Sequence, residues 1–204
     1  MQVLVEEVSA EFALRAFLPK IAPGVDHEIL SFRGKSDLLK KLPQRLAGYA
    51  AWPGATHVRI VVLIDRDRED CIQLRQQLDE TAVQAGFAVA GPRRTVLNRI
   101  AIEELEAWFL GDIDALKCAY PRFPASTAAK KAFRDPDAID GTWEALETLL
   151  QRHGYHKSGL PKTSAAAEIA EYMDVEKNGS RSFRVFRDGV RRLIEIEGSH
   201  AEAE

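Results

Sequence analysis

Short apolar runs alternate along the chain with stretches in which apolar residues recur at helical spacing. The runs Gln2–Val5, His27–Phe32 and His57–Ile64 predict strands. The third run is apolar almost throughout and rich in β-branched residues, which is typical of a strand covered on both faces in a parallel sheet. The segments Phe87–Ala90 and Arg94–Ile102 have extended character and predict further strands.

The stretches between these runs carry apolar residues at intervals of three and four, which predicts amphipathic helices. One such stretch ends at Pro23, a second begins at Ser36, a third covers 67–86, and another begins at Glu103. The alternation of strands and helices predicts an α/β core with a mainly parallel sheet over residues 1–110.

The pattern changes after Asp112, where the remaining apolar stretches have helical spacing and are separated by Pro, Gly and polar turns. Residues 111–197 are therefore predicted to form a helical extension that packs on the α/β core. Residues 198–204, with the sequence GSHAEAE, carry no apolar pattern and are predicted to form a disordered tail.

The composition is that of an ordinary globular protein, with 46% hydrophobic and 29% charged residues. No apolar run approaches the roughly 20 residues of a membrane span, and the first residues lack the pattern of a signal peptide. Cys71 and Cys118 form neither a disulfide framework nor a metal-ligand spacing. We therefore expect a cytoplasmic protein that does not associate with membranes. The net charge of -3 argues against non-specific nucleic-acid binding by the whole surface, but it permits a local basic strip.

Acidic residues follow three of the predicted strands at the point where each strand ends. Glu6 follows the first, Asp65 and Asp67 follow the third, and Glu103 and Glu106 follow the last. The carboxyl ends of the strands in an open α/β sheet line the crevice in which ligands bind. Neighbouring strands would bring these carboxylates together, and their mutual repulsion is costly without a cation. The pattern therefore predicts a site for Mg²⁺ or Mn²⁺.

The same acids have other interpretations. A carboxylate just after a strand often begins a helix, where it interacts favourably with the positive end of the helix dipole. The Asp-x-Asp pair of Asp65 and Asp67 also occurs in haloacid-dehalogenase phosphatases, which usually follow it with Thr or Val where this chain has Arg68. Nucleotide-sugar transferases carry such a pair to bind Mn²⁺ and a diphosphate. Acids at three strand ends in one chain favour a metal site over helix capping alone.

The segments LVEEVSAE, VVLIDRDRED and ELEAWFLGD resemble, in this order, the toprim module of topoisomerases, DnaG-type primases and the OLD (overcoming lysogenization defect) nucleases. That module has a Glu at the end of its first strand, Asp-x-Asp at the end of its third strand, and a further acid downstream. The resemblance assigns these positions to Glu6, to Asp65 and Asp67, and to Glu106, with Glu103 as the next match for the last. It implies a toprim-like, Rossmann-like fold.

The toprim resemblance leaves open which of two neighbouring residues is the acid after the first strand. Typical toprim modules have Glu-Gly there, whereas this chain has Glu6-Glu7. Glu6 is favoured as the ligand because it comes first after the strand.

Nearly the whole chain is also similar to a family of small uncharacterised toprim-like bacterial proteins, often encoded beside an ABC- or AAA-type ATPase and suspected in phage defence. The segments FRGKSDLLKKL, DPDAI and AAAEIAEYMD carry this resemblance, together with SRSFRVFRDGV. It implies a metal-dependent nuclease that acts on DNA or RNA as the effector of an ATPase partner. The alternative is a catalytically silent toprim scaffold that binds and regulates the ATPase.

The resemblance to the OLD nucleases also implies roles for the acids in phosphodiester hydrolysis by one or two divalent metals. Asp65 and Asp67 would hold the metal, and Glu6 would bind a second metal or accept a proton from water. Glu106 would complete the ligand set or orient one of its members.

Four basic residues are candidate contacts to a substrate phosphate. Arg33 and Lys35 flank a Gly at the entrance to a predicted helix, where backbone N–H groups favour anions. Lys157 and Lys162 lie in the segment YHKSGLPKTS, from which they could close on a phosphate. The alternative for each of them is an ordinary solvated side chain.

Overall fold

A four-stranded sheet with all strands parallel lies at the centre of the computed structural model, which describes residues 1–124 and 133–201. The predicted α/β architecture, a parallel sheet flanked by helices with a helical C-terminal region, is confirmed. The strands follow the spatial order β2-β1-β3-β4. Their bounds are β1 (Gln2–Val5), β2 (Glu28–Ser31), β3 (Ile60–Asp65) and β4 (Val96–Ala101).

Helices connect the strands and form most of the C-terminal half. The α-helices of the described residues are α1 (Val8–Ile21), α2 (Lys35–Ala50), α3 (Cys71–Gln84), α4 (Glu106–Leu110), α5 (Ile113–Ala119), α6 (Thr142–Arg152), α7 (Lys162–Tyr172) and α8 (Arg181–Ala201). Helix α8 runs past residue 198, the predicted start of a disordered tail, and residues 202–204 lie outside the described part. None of the helices that the structure describes has the length and apolar character needed to cross a membrane.

Alternate residues of the strands supply two hydrophobic clusters, one on each face of the sheet. In β3, Ile60, Val62 and Ile64 pack with α2 and α3, whereas Val61 and Leu63 pack with α1 and the C-terminal helices. Both faces of this strand are covered, which explains why its sequence is apolar throughout instead of alternating. The helical extension and the sheet therefore share one of the two clusters.

One segment predicted to be extended forms no strand. Residues Phe87–Ala90 lie in the loop between α3 and β4. The backbone N–H of Thr95 donates to the Ala88 carbonyl at 2.8 Å, and the Ala88 N–H donates to the Thr95 hydroxyl at 3.2 Å. These bonds fold the loop back on the start of β4, so its polar groups are satisfied locally instead of by a neighbouring strand.

An aromatic cluster fastens the C-terminal helices to α1. The ring of Phe17 lies 6.1 Å from Trp108, 5.5 Å from Phe183 and 6.4 Å from Phe186 between centroids, and all four side chains are buried. The Trp108 indole N–H donates to the Ser182 hydroxyl at 2.7 Å. The role of Trp108 is thus packing between α4 and α8.

Replacing Phe17 with Ala should lower the free energy of unfolding by about 3–5 kcal/mol, because the change leaves a cavity at the junction of three helices. The matched control is Phe12→Ala on the same helix, where the ring is 43% exposed and the expected loss is about 1 kcal/mol or less. Urea denaturation followed by circular dichroism measures both. Equal losses in the two variants would contradict this account of the core.

Candidate acidic site

The register of the sheet brings the ends of β1 and β3 together. Val5 pairs with Leu63, so the chain leaves β1 beside the last residues of β3. Oε2 of Glu6 accepts a hydrogen bond of 3.2 Å from the backbone N–H of Asp65. Glu6 itself is buried. The acids of the first and third strands therefore meet directly, as the strand-end pattern predicts.

A third acid arrives from the other side of β3. Asp65 pairs with Ala101, the last residue of β4, and the chain then begins helix α4 at Glu106. The Glu106 residue is 2% exposed, and its Oε2 has no hydrogen-bond partner among the described residues. An ionisable oxygen buried without a partner is costly, and such groups occur mostly where a ligand or ion completes the site.

These acids line a small cavity at the carboxyl edge of the sheet, between β3, α1 and α4. Its walls include Glu6, Asp65, Glu106 and Lys162. The volume of this cavity is about 10 Å³, which is of the order needed for one water molecule. The cavity can hold a single small polar species and no organic ligand.

Burial and mutual repulsion raise the pKa of all three carboxyls. Desolvation raises the pKa of Glu6, although the hydrogen bond from Asp65 opposes it. Burial raises the pKa of Asp65 well above its usual value, and the charges of Glu106, Glu6 and Asp67 raise it further. Burial raises the pKa of Glu106 to about 7, against the opposing effect of Lys162. The Glu106 carboxyl therefore exchanges its proton near neutral pH, and Glu6 and Asp65 bind theirs more readily than exposed carboxyls do.

Lys162, a predicted phosphate contact, is the cation nearest to the buried acids. It is the first residue of α7, and its Nζ lies 3.5 Å from Glu7 and 3.9 Å from Glu106. The same ammonium lies 5.1 Å from the centroid of the Trp143 ring. Burial lowers the pKa of Lys162, but the neighbouring Glu106 and Glu7 carboxylates raise it by more, so the side chain stays charged.

Lys35, a second predicted phosphate contact, holds Asp67 at the rim of the site. Its Nζ lies 2.6 Å from the Asp67 carboxylate, 3.0 Å from Glu69 and 3.3 Å from the carbonyl of Arg66. Asp67 has a φ of 49°, and its side chain is 51% exposed. The Asp-x-Asp pair is consequently split, with Asp65 in the cavity wall and Asp67 turned toward Lys35.

The other two predicted phosphate contacts lie elsewhere. Arg33 is exposed and lines a separate groove between β2 and α2. Lys157 is exposed in the turn that precedes α7, and within the described residues no hydrogen bond or ion pair links it to the acids. The structure thus brings Lys35 and Lys162 to the acidic site and leaves Arg33 and Lys157 outside it.

Two acids that follow β4 have structural roles. Glu103 forms an ion pair with Arg66. Oε2 of Glu104 accepts hydrogen bonds from the Thr142 hydroxyl at 3.1 Å and from the Trp143 N–H at 2.8 Å, which satisfies the first turn of α6. Glu104 therefore stabilises the start of a helix distant in the sequence, whereas Glu106 is itself the first residue of the helix that follows β4, as the helix-end interpretation expects.

Glu7 is a participant that sequence reasoning set aside in favour of its neighbour. Its side chain is 40% exposed, accepts a hydrogen bond from the Ser9 hydroxyl at 3.2 Å, and lies near Lys162. Adjacent residues at the end of a strand point in different directions, so Glu6 enters the cavity wall beside Asp65 while Glu7 approaches the lysine from the rim. The only sign of this role in the sequence is that Glu7 directly follows Glu6 at the end of β1.

The donor atoms at this site are those that a hard divalent cation prefers, namely carboxylate oxygens, one of them buried and unbonded. Their positions are less favourable. Within 1–124 and 133–201, no group of three or more His, Cys, Asp and Glu side chains is arranged so that it could hold a metal ion as it stands. The residues fit a cation by chemistry, and ligation would require the side chains to draw together.

The fold and the site define a class of protein, an α/β protein whose parallel sheet holds a buried acidic cluster at its carboxyl edge. Residues 5–191 match the model of a family described as a domain of unknown function, DUF4276, and the chain belongs to this family. The match begins at the last residue of β1 and covers the other three strands and most of the C-terminal helical region. Searches of curated proteins and of solved structures found no match.

The unfolding free energy should fall with rising pH because of Glu106. Its pKa rises from 4.5 to about 7 on folding, so the protonated carboxyl stabilises the fold at low pH, and this stabilisation is lost as the pH passes through about 7. At roughly 1.4 kcal/mol per pKa unit, Glu106→Gln should gain up to about 3 kcal/mol relative to the wild type between pH 5 and pH 8.

Urea denaturation in the presence of a chelator at both pH values measures this difference. The control is Glu144→Gln, which alters an exposed carboxyl on α6 and should leave the difference unchanged. A constant offset between Glu106→Gln and the wild type at the two pH values would mean that Glu106 is ionised in the folded protein throughout this range.

Proposed function

We propose that this protein is a toprim-type nuclease that uses Mg²⁺ or Mn²⁺ to hydrolyse phosphodiester bonds in DNA or RNA. The proposal rests on the meeting of Glu6, Asp65 and Glu106 at one edge of the sheet with raised pKa values. Burying three acids together costs free energy that a cation would offset. Perturbed acids of this kind, gathered in a concave site, are typical of functional centres.

The order of the acids along the chain supports the toprim relationship. The strand order sets β1 beside β3, so a Glu after the first strand and an Asp at the end of the third lie next to each other. Glu106, the acid assigned to the downstream position, is the buried one, whereas Glu103 is paired with Arg66. Glu6, Asp65 and Glu106 are three of the four acids that the toprim resemblance assigns to a shared ligand set, and the fourth, Asp67, is paired with Lys35.

In the proposed site, Asp65 and Glu106 would hold the cation, and Glu6 would either join them or accept a proton from water. A bound divalent ion would lower the pKa of water and stabilise negative charge on the phosphoryl oxygens. Lys162 and Lys35 stand on two sides of the acids and would turn their ammonium groups toward the substrate phosphate. If Lys35 left Asp67 for the substrate phosphate, the Asp67 carboxylate would become available as a further ligand.

An ATPase partner and a role in phage defence are the remaining parts of the proposal, and they rest on the family resemblance of the sequence. A catalytically silent scaffold that regulates such a partner is the second candidate. It is favoured by the lack, in the described residues, of a preformed metal-binding group. Lys35 and Lys162 would then be permanent counter-ions of the acids and would have no part in substrate binding.

Asp65→Asn and Glu6→Gln should each reduce metal-dependent cleavage of DNA or RNA on the order of a hundredfold or more, because each removes a charged group from the reacting centre. The matched control is Asp114→Asn, which changes an 88% exposed carboxylate on α5 and should cleave at the wild-type rate. A gel assay with Mg²⁺ or Mn²⁺, repeated with the ATPase partner present, measures cleavage. Wild-type rates in both site variants, with folding verified, would refute the site.

A titration with Mn²⁺ distinguishes the nuclease from the scaffold. Binding should strengthen between pH 5 and pH 8, since the cation has to displace protons from Glu106 and its neighbours. Calorimetry in two buffers of different ionisation enthalpy should therefore detect proton release on binding. Glu106→Gln should weaken binding and release fewer protons. If the wild type binds Mn²⁺ no better than Glu106→Gln at any pH, the result supports the catalytically silent scaffold.

A further inference from the structure

A second concave surface runs along the free edge of β2, separate from the acidic cavity. Strand β2 is at the edge of the sheet, and the groove lies between this strand and helix α2, with a volume of about 550 Å³. The polar and aromatic residues that matter for its chemistry are Arg33, Asp37, Lys41, Arg45, Tyr49 and Trp52. We call it the edge groove.

The edge groove is basic although the chain as a whole is acidic. Lys41 pairs with Asp37 at 2.7 Å, which cancels one charge of each sign. The guanidinium groups of Arg33 and Arg45 are exposed, and within the described residues they form no hydrogen bond or ion pair. Arg33 before α2 and Arg45 on α2 leave the lining with a net positive charge, which attracts phosphate.

An exposed aromatic ring lies at the opposite end of the edge groove. Trp52 is 46% exposed, and its ring packs edge-on against Tyr49 with 4.8 Å between centroids. The Tyr49 hydroxyl donates to the Gln2 side chain at 3.1 Å, so the ring that supports Trp52 is itself anchored to the sheet. The other two tryptophans, Trp108 and Trp143, are more buried.

The edge groove and the acidic site adjoin each other at the carboxyl edge of the sheet. The backbone N–H of Gly34 donates to the Glu6 carbonyl at 3.0 Å, and the next residue, Lys35, pairs with Asp67. From this junction α2 leads away along the groove, and the stretch from Asp37 to Gly48 spans about 16 Å at the helical rise of 1.5 Å per residue. A chain that leaves the acids past Lys35 would enter the groove.

We infer that the edge groove binds single-stranded nucleic acid, with phosphates on Arg33 and Arg45 and an unpaired base stacked on Trp52. This assignment deepens the proposed function and rests on it, because the groove would lead the strand to the acids. Basic side chains with an exposed aromatic are the pattern by which proteins hold single strands without reading sequence. Stacking on Trp52 requires an unpaired base, which excludes an intact duplex from the groove.

Binding can be tested without cleavage, in a chelator, by fluorescence anisotropy of labelled single-stranded DNA and RNA oligonucleotides. Trp52→Ala should weaken binding about tenfold, which is within the range for loss of one stacked base. Arg45→Ala should weaken binding by about the same factor, because it removes a charged hydrogen bond to a phosphate. Arg45→Ala should also lower the slope of log affinity against log salt by about 0.7. The controls are Tyr172→Ala, another half-exposed aromatic, and Lys40→Ala, an exposed charge on α2 outside the groove.

Each outcome decides the assignment. Weaker binding by the groove variants alone, with duplex bound less tightly than single strands, supports it. Equal losses in the control variants, no measurable binding by the wild type, or a mononucleotide bound as tightly as the oligonucleotide would overturn it. If the wild type binds through the groove but never cleaves, with or without the ATPase partner, the nuclease proposal fails and the groove assignment stands.

Discussion

The parallel arrangement of β1 and β3 is the constraint on which the site depends. Because the strands are neighbours and run in the same direction, their last residues meet at one edge, and Glu6 accepts a hydrogen bond from the backbone of Asp65. Helix α4 then needs only the short connection after β4 to bring Glu106 to the same place. An antiparallel partner for β3 would have put its acids at the opposite edge of the sheet.

The fold tolerates this concentration of acids by two means. The raised pKa values of Asp65 and Glu106 favour their neutral forms, and the two lysines Lys35 and Lys162 supply positive charge at the rim. The ion pair between Arg66 and Glu103 keeps a further acid out of the cluster. Under the proposed function, a cation would replace the protons, and a substrate phosphate would compete with the acids for the two ammonium groups.

The C-terminal helices complete the site and do more than cover the sheet. They bury one sheet face through the Phe17 cluster, and α7 presents Lys162 at its first residue beside the acids. The DUF4276 family model matches residues of both the sheet and these helices, which indicates that the two regions form one family domain. The edge groove, in contrast, is lined by β2, by α2 and by the residues that follow each of them, and by none of the described residues of the C-terminal half.

The sequence by itself determined the α/β alternation, because covered strands and amphipathic helices leave different periodicities, and it put acids at the strand ends. Tertiary structure alone decided which acids share the cavity. Glu103 and Glu106 both follow β4 and look alike in sequence, yet one meets Arg66 and the other is buried. Asp67 turns to Lys35 because its φ is positive, and Lys162 arrives from a distant helix. Such pairings depend on contacts between remote segments, which local spacing does not encode.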